Sequence, residues 1–325
     1  MTKSFKPTFF MKNRHMQTLY SSFFRKGPEV ETLRERLILE DGDFLDLNFS
    51  FTSNTNANTP FVILFHGLTG SYKSPYIRGI MDSFCKNGFN TVLMHFRSCS
   101  EELNNLERSY HSGETGDALF CLKEIQKRYP DAPLYAVGYS LGGNMLLKLL
   151  GELGVDSPLK AAVSVSAPLQ LDVCADAINK GFSRIYQMHL MQNLKKTLKK
   201  KYAKHDMESL LRMKEKDINT LKTFWDFDGI YTAPIHGFKS AQDYYTKSSS
   251  KQYLKNIHTP TLIIHAKDDP FMNDTILPSP DEISDSIVLE ISLHGGHVGF
   301  IEGSLFHPKY WLETRILKFF LQKFR

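Results

Sequence analysis

A chain of 325 residues and 37.3 kDa, with 42% hydrophobic and 23% charged side chains, has the composition of a globular protein, not of a disordered chain, a fibre or a solenoid. The length suits one large domain carrying a modest insertion. A formal charge of +5 with a pI near 8.8 is mild for this size and gives no reason to expect a nucleic-acid partner.

From the N-terminus, Met1 to His15 has no continuous apolar stretch, so no secretory leader is expected. No apolar run approaches the roughly 18 residues of a spanning helix. Residues 33–51 alternate apolar positions (Leu37, Leu39, then Leu45, Leu47, Phe49, Phe51) around Asp41-Gly42, which predicts an antiparallel hairpin. A polar loop, Ser53 to Pro60, follows. Short apolar runs come next: Phe61–Phe65, Thr91–Phe96, Leu134–Val137, Ala161–Val165, Thr261–Ile264 and Ile287–Leu293. Such runs suit strands buried on both faces of a parallel sheet. Helical patterns near 75–87, 113–129 and 141–151 lie between them, and Pro308–Arg325 reads as a closing amphipathic helix. The alternation predicts a doubly wound, mostly parallel α/β sheet.

Residues 169–256 break the rhythm. No β-type run occurs there, and Leu190, Leu194, Leu198 and Tyr202 recur every four residues. This predicts a helical lid insertion, with 1–168 and 257–325 forming the core. An insertion leaving a strand's carboxyl end is placed to cover the ligand crevice of such a sheet. Ala177 to His205 contains no acidic residue. It holds Lys180, Arg184, Lys195, Lys196, Lys199, Lys200, Lys201 and Lys204, so the rest of the chain, at +5 less 8, carries −3. The plain reading is a solvated lid face; the second is weak association with an anionic membrane surface.

Gly138-Tyr139-Ser140-Leu141-Gly142 stands between a strand run and a helical pattern. A nucleophile elbow needs that strand–turn–helix context, and its glycines relieve crowding around a strained serine. A serine hydroxyl needs a base held by a third group, and in α/β-hydrolases the chain order is Ser, acid, His. His297, in His294-Gly295-Gly296-His297, follows the last strand run and is the base candidate, with His294 the runner-up. The acid candidates are Asp268 and Asp269, shortly after the run Thr261–Ile264; Asp172 is a third. Neighbours on an extended end point in opposite directions, so only one of the pair faces His297, and the spacing common among hydrolases favours Asp269. The oxyanion hole is expected from the N–H of Leu141 and of Leu68, in His66-Gly67-Leu68-Thr69-Gly70. Ser112 is expected to cap the helix near 113. Cys99 reads as a buried structural thiol, and Phe182, Tyr186, Met188 and Met191 as lid packing or an acyl pocket. Four separated cysteines (Cys85, Cys99, Cys121, Cys174) without a Cys-x-x-Cys pair suit free thiols in a reducing compartment, here the cytoplasm, and offer no zinc site. Neither metal nor cofactor is expected.

Asn13-Arg14-His15-Met16-Gln17-Thr18-Leu19, His66 to Ser71, Met94 to Ser100, Tyr110 to Thr115, Gly138 to Asn144, His265 to Met272 and His294 to Phe300 together resemble the YheT-like α/β-hydrolases, relatives of eukaryotic ester and phospholipid hydrolases. The resemblance covers nearly the whole chain and departs at Ser98, where bacterial relatives often have Gly. It implies a Ser–Asp–His relay with Ser140, His297 and, as acid, Asp268, leaving Asp269 as the alternate. The expected activity is a serine esterase on a small-molecule or lipid ester. Thioester hydrolysis or acyl transfer on the same triad, and a non-catalytic binding protein, are the alternatives.

Overall fold

The computed structural model describes residues 5–8, 11–304 and 306–324. Part of the N-terminal stretch read for a leader, and Arg325 of the closing helix, lie outside them. The helices and strands used below are α1 (Arg14–Phe24), β1 (Leu33–Ile38), β2 (Phe44–Ser50), β3 (Phe61–Phe65), α2 (Pro75–Lys86), β4 (Asn90–Met94), α3 (Thr115–Arg128), β5 (Leu134–Tyr139), α4 (Leu141–Leu153) and β6 (Leu159–Val165). Then follow α5 (Leu171–Ile178), α6 (Ser183–Lys204), α7 (Met207–Leu211), α8 (Phe224–Phe227), α9 (Ala233–Ile235), α10 (Ala241–Ser248), β7 (Thr261–Ala266), β8 (Ile287–Ser292), the short pair β9 (Ile301–Gly303) and β10 (Pro308–Tyr310), and α11 (Trp311–Phe324).

Eight strands form one sheet in the order β1-β2-β4-β3-β5-β6-β7-β8. β1 and β2 are the expected antiparallel hairpin; β2 pairs antiparallel with β4, and every pairing from β4 to β8 is parallel. The period of two in β3 divides its side chains between two layers. Phe61, Ile63 and Phe65 pack with α3 and α4, whereas Val62 and Leu64 pack with α2 and α11. Burying each such side chain contributes roughly 1.5–3 kcal/mol, so the two-faced apolar run outweighs any local preference. The edge strand β1 carries Arg34 and Arg36, which pair with the buried Asp46 of β2 and keep that edge charged. Arg97, buried just after β4, is held by Asp41, Asp43 and Asp117 and ties the hairpin to α3.

Between β6 and β7 the chain forms helices only. They build an apolar cluster of their own, including Met191, Leu198, Phe227 and Tyr231, while Leu254 joins the main core. Lys201 differs from the solvated face expected for the basic run. Its side chain is fully buried, and Nζ donates to Asn104 Oδ1 (2.6 Å) and to the carbonyls of Leu106 and Arg108. Burial lowers this ammonium to about 8. Lys180, Arg184, Lys196, Lys199, Lys200 and Lys204 are exposed. Ser112 also departs from expectation. α3 starts at Thr115, and Ser112 instead donates its N–H to the Tyr244 hydroxyl and accepts from Asn144 at its carbonyl. Two long-range partners there outweigh a local cap. The four cysteines are free thiols. Among the described residues, no helix is long and apolar enough to cross a membrane.

Candidate active site

Ser140 stands at the tip of the turn from β5 into α4 with φ +51° and ψ −118°, a backbone region costly for a residue with a Cβ. Glycine makes the turn sterically feasible. A Cβ on Gly142 would lie 2.5 Å from the Phe65 carbonyl oxygen, and one on Gly138 would run into the Gly142 backbone. The serine N–H donates to the Val165 carbonyl (2.8 Å), which pins the turn to the end of β6. Ser140 Oγ lies 2.9 Å from His297 Nε2, and His297 Nδ1 lies 2.7 Å from Asp269 Oδ2. Side chains 157 and 28 positions apart are therefore in one continuous contact.

The carboxylate bonded to His297 is that of Asp269, not that of the expected Asp268. The two neighbours project oppositely from the turn after β7. Asp269 is 2% exposed, and its other oxygen accepts the Phe271 N–H (2.8 Å). Asp268 accepts from Gly296 N–H (2.9 Å) and faces His294 Nδ1 (3.3 Å); burial raises its pKa. His294, the runner-up base, thus meets the other aspartate. Asp172 accepts the Val173 N–H at the start of α5 and makes no bond to His297.

The loop after β3 is held by two tyrosines. Gly67 N–H donates to Tyr76 OH (3.0 Å) and Thr69 N–H to Tyr110 OH (2.9 Å). Among the described residues, neither the intervening Leu68 N–H nor the Leu141 N–H has a protein acceptor. Ser140, His297, Leu68 and Leu141 all line one cavity of about 980 Å³. Phe182, Tyr186 and Ile185 contribute to its wall from the helices between β6 and β7, as does Cys99, whose thiol burial pushes up to about 12. Met191 is buried in the helical cluster and Met188 is exposed, so of the four residues proposed for the wall two reach it.

Some contacts to the base and its loop escaped the sequence reading. The Phe271 ring stacks on the His297 imidazole at 4.0 Å and 10°, Val298 N–H donates to Ser166 Oγ (3.1 Å), and His297 N–H donates to Thr18 Oγ1 (2.9 Å). Phe271 follows Asp269-Pro270 directly, which is the one signal that could have drawn attention to it. Away from Ser140 and His297, side-chain atoms of His111, which also lines the cavity, Glu114 and His236 lie within 4.8 Å of one another. That group is poorly suited to a cation. Arg108 Nη1 already engages Glu114 (3.2 Å), and Gly113 N–H donates to His111 Nδ1 (3.1 Å), so the proton stays on Nε2, the nitrogen facing Glu114.

A family model described as the alpha/beta hydrolase fold matches residues 60–304. Over 304 residues the chain is 44% identical to the candidate esterase YheT of Escherichia coli (strain K12), covering 94% of this chain and 89% of that protein. It is 28% identical over 329 residues to Phospholipase ABHD3 of Mus musculus, covering 99% of this chain and 79% of that protein. In structure it is similar to the Pyrococcus furiosus esterase Pf2001, with a TM-score of 0.61 and 16% identity over 100% of this chain and 99% of the other, a likeness of fold.

Proposed function

The chain belongs to the α/β-hydrolase family and is an esterase- or lipase-type enzyme within it, and from that premise we propose that it cleaves carboxylic esters, short- to medium-chain or lipid-like, through Ser140, His297 and Asp269. The carrying observation is the continuous contact from Ser140 Oγ through the imidazole to Asp269 Oδ2, opening on the cavity. His297 Nε2 takes the hydroxyl proton as Ser140 Oγ bonds to the acyl carbon. Asp269 holds the Nδ1–H tautomer and stabilises the imidazolium. The N–H groups of Leu68 and Leu141 receive the oxyanion. Collapse expels the alcohol, which takes the proton from His297. Water, activated by the same imidazole, then attacks the acyl-enzyme and releases the acid.

Residues 169–256 act as the lid over this chemistry, and 1–168 with 257–325 as the core. The exposed lysines Lys196 and Lys200 line the cavity together with the apolar side chains of α6, an arrangement suited to a lipid ester presented at an anionic surface. Salt-sensitive binding to anionic vesicles checks that part. A cytoplasmic setting fits the free thiols.

Ser140→Ala should lower kcat on a p-nitrophenyl ester roughly 10⁴-fold or more and abolish labelling by a fluorophosphonate probe. Ordinary turnover by that variant would sink the mechanism. A panel of esters of increasing chain length, with the same variant as control, reads the acyl preference.

A further inference from the structure

The segment Asn13 to Leu19 has no part in the chemistry above, yet it lies against the histidine loop. Asn13 caps α1 by accepting from the N–H groups of His15 and Met16. The helix so begun presents consecutive residues to the loop. Thr18 Oγ1 accepts the backbone N–H of His297 (2.9 Å) while donating to the Arg14 carbonyl (2.8 Å). Gln17 is fully buried. Its amide N donates to the carbonyls of Ile301 (3.0 Å) and Met11 (2.7 Å), and its amide O accepts Ile301 N–H (2.7 Å). The approach is close enough that a Cβ on Gly299 would strike the Gln17 carbonyl, and one on Gly296 would lie 2.6 Å from that of Arg14.

The loop needs such a hold. Val298 and Phe300 have φ of +59° and +46°, conformations that cost a β-branched or bulky residue on the order of 1–3 kcal/mol each. A strained loop keeps one geometry only where surrounding bonds over-determine it. Its successive N–H groups are taken by Asp268, Thr18 and Ser166, and Ile301 N–H by Gln17. Thr18 is the member of that set bonded to the backbone of the base itself.

We propose that Thr18, supported by Gln17, is a positioning residue that sets the imidazole of His297 between Ser140 and Asp269. This rests on the triad reading above. An imidazole displaced by a fraction of an ångström still binds substrate but transfers the proton poorly, so the loss falls on kcat.

The test uses the full chain with Thr18→Val, which removes the acceptor at nearly constant volume, and Thr18→Ser, which keeps it. Thermal unfolding first establishes that each is folded; should Thr18→Val fail, Thr18→Ala replaces it. The first measurement is kcat and KM on a p-nitrophenyl ester. Thr18→Val should lose about 10–100-fold in kcat with KM nearly unchanged, and Thr18→Ser should restore it. The second is the downfield proton resonance of the His297 ring N–H in the substrate-free protein, identified by its loss in His297→Gln. It should shift or broaden in Thr18→Val and match wild type in Thr18→Ser. A folded Thr18→Val protein with wild-type kcat, or with an unaltered resonance, overturns the proposal. The resonance reads the His297–Asp269 pair without turnover, so it decides this point even if the wild-type protein hydrolyses no ester.

Discussion

His297 Nδ1 sits 2.7 Å from Asp269 Oδ2, while Asp268, one residue earlier, bonds to Gly296 N–H and faces His294. Two adjacent carboxylates thus serve opposite sides of one loop, the first holding its backbone and the second its imidazole.

The two should therefore fail differently. Asp269→Asn leaves the shape of the site but disfavours the Nδ1–H tautomer, and kcat should fall about 10⁴-fold. Asp268→Asn keeps an oxygen able to accept from Gly296, and should cost no more than about tenfold, because the loop's other anchors remain. Steady-state kinetics on one ester compares them, and the reverse ranking would return the acid role to Asp268.

Asp46 predicts how stability depends on pH. Burial alone would push its carboxyl up, but hydrogen bonds from Arg36, Ser100 and Arg34 outweigh burial and bring it down to about 2 from the ordinary 3.8. The folded state therefore holds fewer protons than the unfolded one in this window. The stabilisation is fully present above about 4 and is lost as pH falls toward 2. Both arginines are more than a third exposed, which weakens the pairs, so Asp46→Asn should cost roughly 1–2 kcal/mol at pH 7. Denaturant unfolding of the two proteins should show the gap closing between pH 4 and pH 2.

Lys201 and Lys200 offer a matched pair from one helix. Lys201→Ala would strip the donor from Asn104 Oδ1 and the Leu106 carbonyl inside the protein, costing roughly 2–3 kcal/mol. Lys200→Ala alters an exposed side chain and should stay within about 0.5 kcal/mol. Chemical denaturation checks both, and equal losses would contradict the buried anchor.

The strands were readable because burial on both faces leaves an apolar run that needs no partner to be recognised: Phe61–Phe65 is the same five residues as pattern and as β3. The elbow was readable for a related reason. Gly138 meets a steric demand set within the motif itself, where a Cβ would strike the Gly142 backbone, and α4 begins directly after the serine. The chain order of serine, acid and histidine singles out residues that the fold brings into contact, with Asp269 in place of Asp268 beside His297.

What sequence left open depended on contacts between distant segments. The direction in which Asp268 or Asp269 points is decided by which of them finds His297 and which finds Gly296, 28 residues on. Lys201 reads as one more charge in a basic run until Asn104 and its neighbours, about 97 positions earlier, fold over it. Ser112 reads as a cap until Tyr244 and Asn144 claim its backbone. Thr18 belongs to a segment that carries only a family resemblance until residue 297 docks on it. Local sterics and burial write themselves into nearby residues, whereas the pairing of a polar group belongs to whichever segment the fold brings within 3 Å, and that only the tertiary structure decides.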